Sequence, residues 1–401
     1  MNDTGLSGFL QAHATHPDAR MALALVAAQL EAQRQLRPEF RPTLALMYLT
    51  EAYARQAEAL LADAQARWPG LSVVGTIGTG VAACGVEYQD EPALVMLMLD
   101  LAPASFQVFN GRRPLDETWQ TGAWSALVHA DPATPELAEL LVELAERTGG
   151  RYLFGGLSSA RQVHTLQLAD GVFRGGLSGV AFGREVSLLS RVTQGCVPLG
   201  PVRTVTQSDR NLVLQLDGQP ALPLLLADLG VALTPPEPLM QRLRTTLAGL
   251  TDAGEQARGL GGQFGQHTRV RHLIGLDPGR QAVAVADLVQ PGMQLAFCRR
   301  DADAARRDLV RICAELREEV EGSDDLEASG LVGPRQRMAG AVYISCTGRG
   351  GALFGGSSAE LQLVRHALGE VPLAGFFAAG EIAGHDLYGY TGVLTVFTTA
   401  A

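Results

Sequence analysis

Gly340-Ala341-Val342-Tyr343-Ile344-Ser345-Cys346-Thr347-Gly348-Arg349-Gly350-Gly351 is the stretch on which the reading of this chain turns. Its apolar first half has strand composition and breaks into a glycine loop, after which Ser358 to Leu368 takes up helical spacing. A second apolar run, Leu373-Ala374-Gly375-Phe376-Phe377, leads into Ala379-Gly380-Glu381-Ile382-Ala383-Gly384-His385. Gly389-Tyr390 and a last strand, Gly392 to Thr398, close the segment. Two glycine loops therefore stand at the ends of neighbouring strands, one carrying Cys346 and Arg349, the other Glu381 and His385. A cleft between such loops is the candidate site.

The residue types set what that site can do. A guanidinium at Arg349 can clamp a carboxylate through two parallel hydrogen bonds, or serve as a structural ion pair. A carboxylate at Glu381 can meet a ligand ammonium, or hold Arg349; the two together fit a zwitterion such as an amino acid. Cys346, near a helix start and an Arg, is a candidate nucleophile with His385 as its base, or else a small buried residue. Ser345, Gly348, Gly350, Gly380 and Tyr390 complete the candidate ligand-binding set. His385-Asp386 lacks a third ligand nearby, so no metal is expected. Gly350 to Ser357 has phosphate-loop spacing, but Gly356 stands where that loop requires Lys, which excludes a nucleoside triphosphatase. What survives is a helix N-terminus whose amides can hold a carboxylate or phosphate.

Composition narrows the field further. The chain has 401 residues, 47% of them hydrophobic and only 6% aromatic, enough for large cores built from Leu, Val and Ala. It contains no lysine, which removes Schiff-base and Walker-lysine chemistry. A formal charge of −10 argues against nucleic acid and anionic membrane surfaces as partners. The five scattered cysteines, Cys84, Cys196, Cys298, Cys313 and Cys346, form no metal or disulfide pattern and point to a reducing, cytoplasmic setting. The apolar run Met21 to Leu30 is too short to span a bilayer.

Taken in order, residues 1–18 read as a flexible arm, with Asp18 as N-cap of a helix from Ala19 to Arg34. Strand Thr43 to Leu49, a helix from Glu51 to Arg67 and a strand from Leu71 follow, ending in Gly75 to Gly80. This repeats the strand, helix, strand order that ends in Gly375 to Gly380, and Leu153-Phe154-Gly155-Gly156 echoes Leu353-Phe354-Gly355-Gly356. An internal duplication is expected. A hairpin turns at Ala169-Asp170-Gly171, and strands crowd Gly179 to Leu216. Beyond a boundary at Asp217-Gly218, the spacing predicts helices at Ala221 to Leu229 and Leu239 to Leu250 and a Gly-rich loop at Thr251 to Gln266. Strands Val270 to Leu276, Ala282 to Asp287 and Met293 to Arg299, a helix Asp301 to Glu321 and a polar linker Gly322 to Arg337 complete the chain. The expected architecture is α+β, two tandem domains (19–217 and 218–401) with mixed or antiparallel sheets packed against helices.

The C-terminal motifs Ser345-Cys346-Thr347-Gly348-Arg349-Gly350, Gly375 to Ile382 and Gly389-Tyr390-Thr391 resemble the C-terminal half of FIST proteins, and the first half is similar in layout. The resemblance implies FIST N-like and FIST C-like domains and a bacterial-type sensory, signal-transduction protein that binds a small ligand, an amino acid or carboxylate, without a cofactor. Output would pass through a separate signalling protein, since no kinase, cyclase or DNA-binding signature is present. The alternatives are a thiol-dependent hydrolase or transferase using Cys346 and His385, and a protein-binding scaffold. Val81 stands where the second copy has Glu381, which argues against a second site in the first half.

Overall fold

The computed structural model describes residues 8–116, 119, 122–150, 152–234, 236–255, 268–321 and 336–400. The fold is α+β with mixed and antiparallel sheets. It forms two compact bodies, one of residues 1–192, 309–387 and 391–401, the other of 193–308 with 388–390.

The first body is a threefold repetition. Its first copy runs β1 (Phe9–Thr15), α1 (Ala19–Gln35), β2 (Leu44–Thr50), α2 (Ala57–Arg67), β3 (Ser72–Gly78), β4 (Gly80–Ala83), β5 (Val86–Gln89) and β6 (Ala93–Leu99). The second runs β7 (Phe106–Phe109), β8 (Ala123–Ala130), α3 (Leu137–Glu146), β9 (Tyr152–Leu157), β10 (Gln167–Ala169), β11 (Val172–Phe173) and β12 (Leu177–Gly183). The third begins with β13 (Leu188–Thr193), and the whole second body follows before it resumes. That body comprises β14 (Cys196–Pro198), β15 (Arg203–Asp209), β16 (Leu212–Leu216), β17 (Gln219–Pro220), α4 (Ala221–Leu229), α5 (Pro236–Leu243), β18 (Thr246–Thr251), β19 (Arg269–Asp277), β20 (Ala282–Val285) and β21 (Gln294–Arg300). After α6 (Ala302–Glu321) the third copy continues with β22 (Gln336–Cys346), α7 (Gly351–Phe354), α8 (Ala359–Leu368), β23 (Leu373–Ala378), β24 (Glu381–Gly384), β25 (Asp386–Tyr388) and β26 (Gly392–Ala400).

Three six-stranded sheets share one order: β1-β6-β2-β3-β10-β11, β7-β12-β8-β9-β24-β25 and β13-β26-β22-β23-β4-β5. Each is built on a parallel pair joined through a helix, β2–β3, β8–β9 and β22–β23. The strand that follows each pair leaves its own sheet and pairs antiparallel in another copy: β4 on β23, β24 on β9, β10 on β3. The exchange is cyclic, so no copy closes its sheet alone.

Each parallel pair rests on one glycine. The register sets Gly75 against Met47, Gly155 against Val128 and Gly375 against Tyr343. A Cβ at these three positions would lie 1.8, 2.0 and 1.7 Å from the facing carbonyl oxygen, closer than any side chain allows. The echo between Gly75 and Gly375 is thus structural, and its third member is Gly155. The other echo is not, because Leu153 to Gly156 lies in β9 while Leu353 to Gly356 spans the short α7 and its left-handed Gly355 cap. The expected duplication is a triplication.

The register also separates two faces. Ala45, Met47 and Leu49 pack with α1 and α2 in one apolar core, while the next position faces the other sheets. There Tyr48 stacks on Phe376 and meets His129 edge-on, joining the three copies, and burial lowers the His129 pKa to about 3, keeping the ring neutral.

In the second body six strands close a ring, β21-β15-β16-β20-β19-β18, with β18 returning to β21. Its core takes Leu222, Leu225 and Leu229 from α4, and Arg203 and Asp228 form a nearly buried bidentate pair at 2.6 and 2.8 Å. The boundary expected at Asp217-Gly218 falls inside this ring.

Several expectations need correction. Residues 9–15, read as part of an arm, form β1 against β6 through seven registered pairs. The helix expected over Leu239 to Leu250 ends at Leu243, and Thr246–Thr251 is β18, since a short apolar run carries no period that separates helix from strand. β8 was not anticipated. Gln336 and Arg337, expected in a linker, open β22. The rest of that linker, most of the Gly-rich loop before Gln266 and the first seven residues lie outside the described residues.

Candidate functional site

In the first two copies the helix-facing positions of the leading strand are apolar, Met47 and Leu49, then Val128 and Ala130. The same register positions in the third copy are Tyr343 and Ser345. They are polar because α8 brings Glu360, fully buried, against them. Tyr343 donates to Glu360 Oε1 at 2.7 Å and Ser345 donates to both carboxylate oxygens at 3.1–3.2 Å. Arg349 Nε donates to Oε1 and the Gly350 amide to Oε2, each at 2.8 Å. Gly350 reaches this position with φ 77°, the left-handed region, and a Cβ there would lie 2.1 Å from the Gln89 side chain.

Arg349 is 2% exposed, with Phe354 beneath its guanidinium at 5.1 Å. Burial acts to lower its proton affinity, but Glu360 and Tyr343 outweigh that and hold it charged. Only one of its three nitrogens is used: Nη1 and Nη2 are buried and find no hydrogen-bond partner among the described residues.

Glu381 opens β24, fully buried. Its Oε2 accepts from the Thr391 hydroxyl at 2.6 Å and amide at 3.1 Å, while Oε1 has no hydrogen-bond partner among the described residues. Burial pushes its carboxyl up to about 8; Thr391, the Arg349 charge and the Cys346 thiol pull the other way and lose. Arg349, Cys346 and Glu381 are therefore near enough to act on one another, at the end of β22 and the start of β24.

The amides at the start of α7 and α8, expected to hold an external anion, already hold one from the chain. Glu87 on β5 accepts from Gly351 at 2.8 Å and from Glu360 and Leu361 at 2.9 and 3.2 Å. Burial and the neighbouring Glu360 push the Glu87 carboxyl up to about 7. Glu87, Gln89, Gly351 and Gly356 also line a surface cavity of about 480 Å3, which places this cap at the solvent side of the cluster.

The structure thus gathers Ser345, Cys346, Arg349, Gly350 and Glu381, and adds Tyr343, Glu360, Thr391 and Glu87. Gly380 sits beside the cluster with its carbonyl accepting from Leu157. Gly348 lies in the turn after β22. His385 is exposed, in the turn after β24. It stands four residues beyond Glu381, just past Gly384, which takes the left-handed region at φ 66°. Tyr390 counts with the second body, where its hydroxyl bonds His272 and Arg300 lies over its ring. Among the described residues no group of three His, Cys, Asp or Glu side chains is placed to hold a metal, and no helix is long and apolar enough to cross a membrane.

Two family models match the chain. The FIST N domain matches residues 43–219 and the FIST C domain residues 221–384. An uncharacterized protein of Mycobacterium tuberculosis is 30% identical over 409 residues, covering 96% of this chain and 97% of that protein. An uncharacterized protein of Mycobacterium bovis is 31% identical over 399 residues, with the same coverage. The chain belongs to the FIST family, whose domains are sensory, signal-transduction modules that bind small ligands.

Proposed function

We propose that this protein is a cytoplasmic small-ligand sensor whose ligand, an amino acid or small carboxylate, is held by Arg349 and Glu381 in the third copy. One observation carries the reading: two donors on a buried guanidinium and one acceptor on a buried carboxyl lie unpartnered in the same cluster. Leaving such groups unmade costs about 1–3 kcal/mol each, more when charged, and a ligand that satisfies them recovers it. Nη1 and Nη2 present the parallel pair that a carboxylate accepts. Glu381, protonated at neutral pH, offers an ammonium its place by giving up that proton. The five free cysteines fit a reducing compartment, and the sensory output passes to a separate protein.

Calorimetric titration with a panel of amino acids and small carboxylates, in buffers of different ionisation enthalpy, tests this. An amino acid should bind with release of a proton and gain affinity as pH rises toward 8; a plain carboxylate should lose affinity over the same range. Arg349→Lys should weaken both, because an ammonium cannot reproduce two parallel bonds. Equal affinity in Glu381→Gln and wild type for every ligand that binds would refute the site.

A further inference from the structure

The threefold repetition sets three equivalent places at the carboxyl ends of the parallel pairs, where open α/β sheets bind their ligands. By register from the three close-approach glycines, Thr50, Asp131 and Cys346 correspond. The Cys346 place holds the cluster described above. The Asp131 place is closed by its own copy: the Asp131 carboxylate accepts from the Ala133 amide at 2.8 Å, the Thr165 hydroxyl at 2.8 Å and the Gly175 amide at 3.2 Å. The Thr50 place is open. It holds a cavity of about 510 Å3, within the range of small-molecule sites.

We infer that the cavity beyond the ends of β2 and β3 is a second ligand site, which takes a small carboxylate on Arg55 and Arg161. The walls are fixed by the fold. Thr50 is locked to β6 by exchanged bonds with Ala93, its hydroxyl accepting at 2.9 Å. Glu51 accepts from the Arg161 and Gln162 amides at 2.8 and 3.0 Å, pinning the loop after β9 over the cavity. Thr79, 8% exposed, donates its amide to the Ser159 hydroxyl oxygen at 2.9 Å, fixing the floor.

Charge selects the ligand. Of the three acids around the cavity, Glu51 is committed to backbone amides, Asp90 to Arg161, and Glu91 accepts from the Thr15 hydroxyl at 3.4 Å. Arg55 projects from the 3-10 turn after β2 and pairs with no carboxylate among the described residues. Arg161 meets Asp90 only at the surface, where both side chains are more than half exposed, so the pair exchanges readily for a ligand carboxylate. Val81 stands where the third copy has Glu381, so the buried carboxyl of the third copy has no counterpart here, and the two arginines are the groups that take the ligand.

The full-length protein is titrated with succinate and with L-glutamate, for wild type, Arg55→Gln with Arg161→Gln, and Glu381→Gln, each with a melting curve. Both arginines are exposed, so the double variant should melt as wild type does. The expected result is a succinate site that weakens about tenfold or more in the double arginine variant and is unchanged in Glu381→Gln. Succinate binding that is lost in Glu381→Gln and kept in the arginine variant overturns the second site and leaves the proposed function standing. Binding lost only in the arginine variant for both probes upholds the second site against the first. No saturable succinate binding to wild type overturns the second site outright.

Discussion

Removing Arg349 should unfold more than it unbinds. The side chain is 1% exposed and its partner Glu360 fully buried, so Arg349→Met leaves a carboxylate in the sheet–helix core with no opposite charge within 4 Å among the described residues. Breaking a buried pair from one side costs about 3–5 kcal/mol, most of it the burial of the unmatched charge. Glu360→Gln strands the guanidinium, with a loss of similar size. The double variant keeps an amide oxygen for the Tyr343 and Ser345 hydroxyls and leaves no charge behind, so it should lose less than the sum of the two by about 1–3 kcal/mol. The first and second copies, with Met47, Leu49, Val128 and Ala130 at the corresponding positions, show that this layer packs without charge.

Urea unfolding followed by far-ultraviolet dichroism gives the four free energies of this cycle. With two bodies in the chain, the transition is fitted for the larger one, identified by hydrogen exchange in β22 and β23. An Arg349→Met protein within about 0.5 kcal/mol of wild type would refute the argument, since surface substitutions alone reach that value. Strict additivity would also refute it, because it would mean that Arg349 and Glu360 do not depend on one another.

Two further outcomes follow from the geometry. Glu87 has a folded pKa of about 7 against an ordinary 4.5, so its proton favours the folded state; that contribution is complete below about pH 4.5 and is lost as pH rises through 7, about 3 kcal/mol in all, and Glu87→Gln should flatten the stability–pH curve between those values. Gly375→Ala should destabilise by at least about 1–3 kcal/mol, and Gly75→Ala likewise, because the new Cβ meets the carbonyl oxygen of Tyr343 or Met47 and the paired strands must part; thermal melts that match wild type would remove the close approach as a fold determinant.

The parts of the fold that were legible are those whose signals are local. Asp18 caps α1 from the position its side chain implies, Ala169-Asp170-Gly171 turns a hairpin with Asp170 at φ 55°, and the apolar runs at Ala341 and Leu373 are the parallel pair β22–β23. Illegible were elements whose identity comes from neighbours distant in sequence. Phe9–Thr15 looks like an arm until β6, some eighty positions on, supplies its hydrogen bonds. At the site, Arg349 and Glu381 announce themselves as charges on glycine loops. Glu360 does not, because an acid in the first turn of a helix is ordinary dipole chemistry, and only the packing of α8 turns it inward. Glu87 gives no signal, since the amides it caps lie more than 260 residues away.

The sequence shows a duplication and not the triplication for a related reason. What the three copies must share is steric: one glycine where two strand backbones approach, and a chain that leaves for the next sheet. Everything else is free to drift, and it has drifted into different chemistry at each of the three strand ends. Asp131 uses its place to tie loops, Thr50 leaves one open, and Cys346 borders a buried charge cluster. A fold that needed charge in this layer would show it in all three copies. Its confinement to one, with donors and an acceptor left over among the described residues, is what the proposed ligand site requires and what folding does not: the two apolar copies are the internal control for the third.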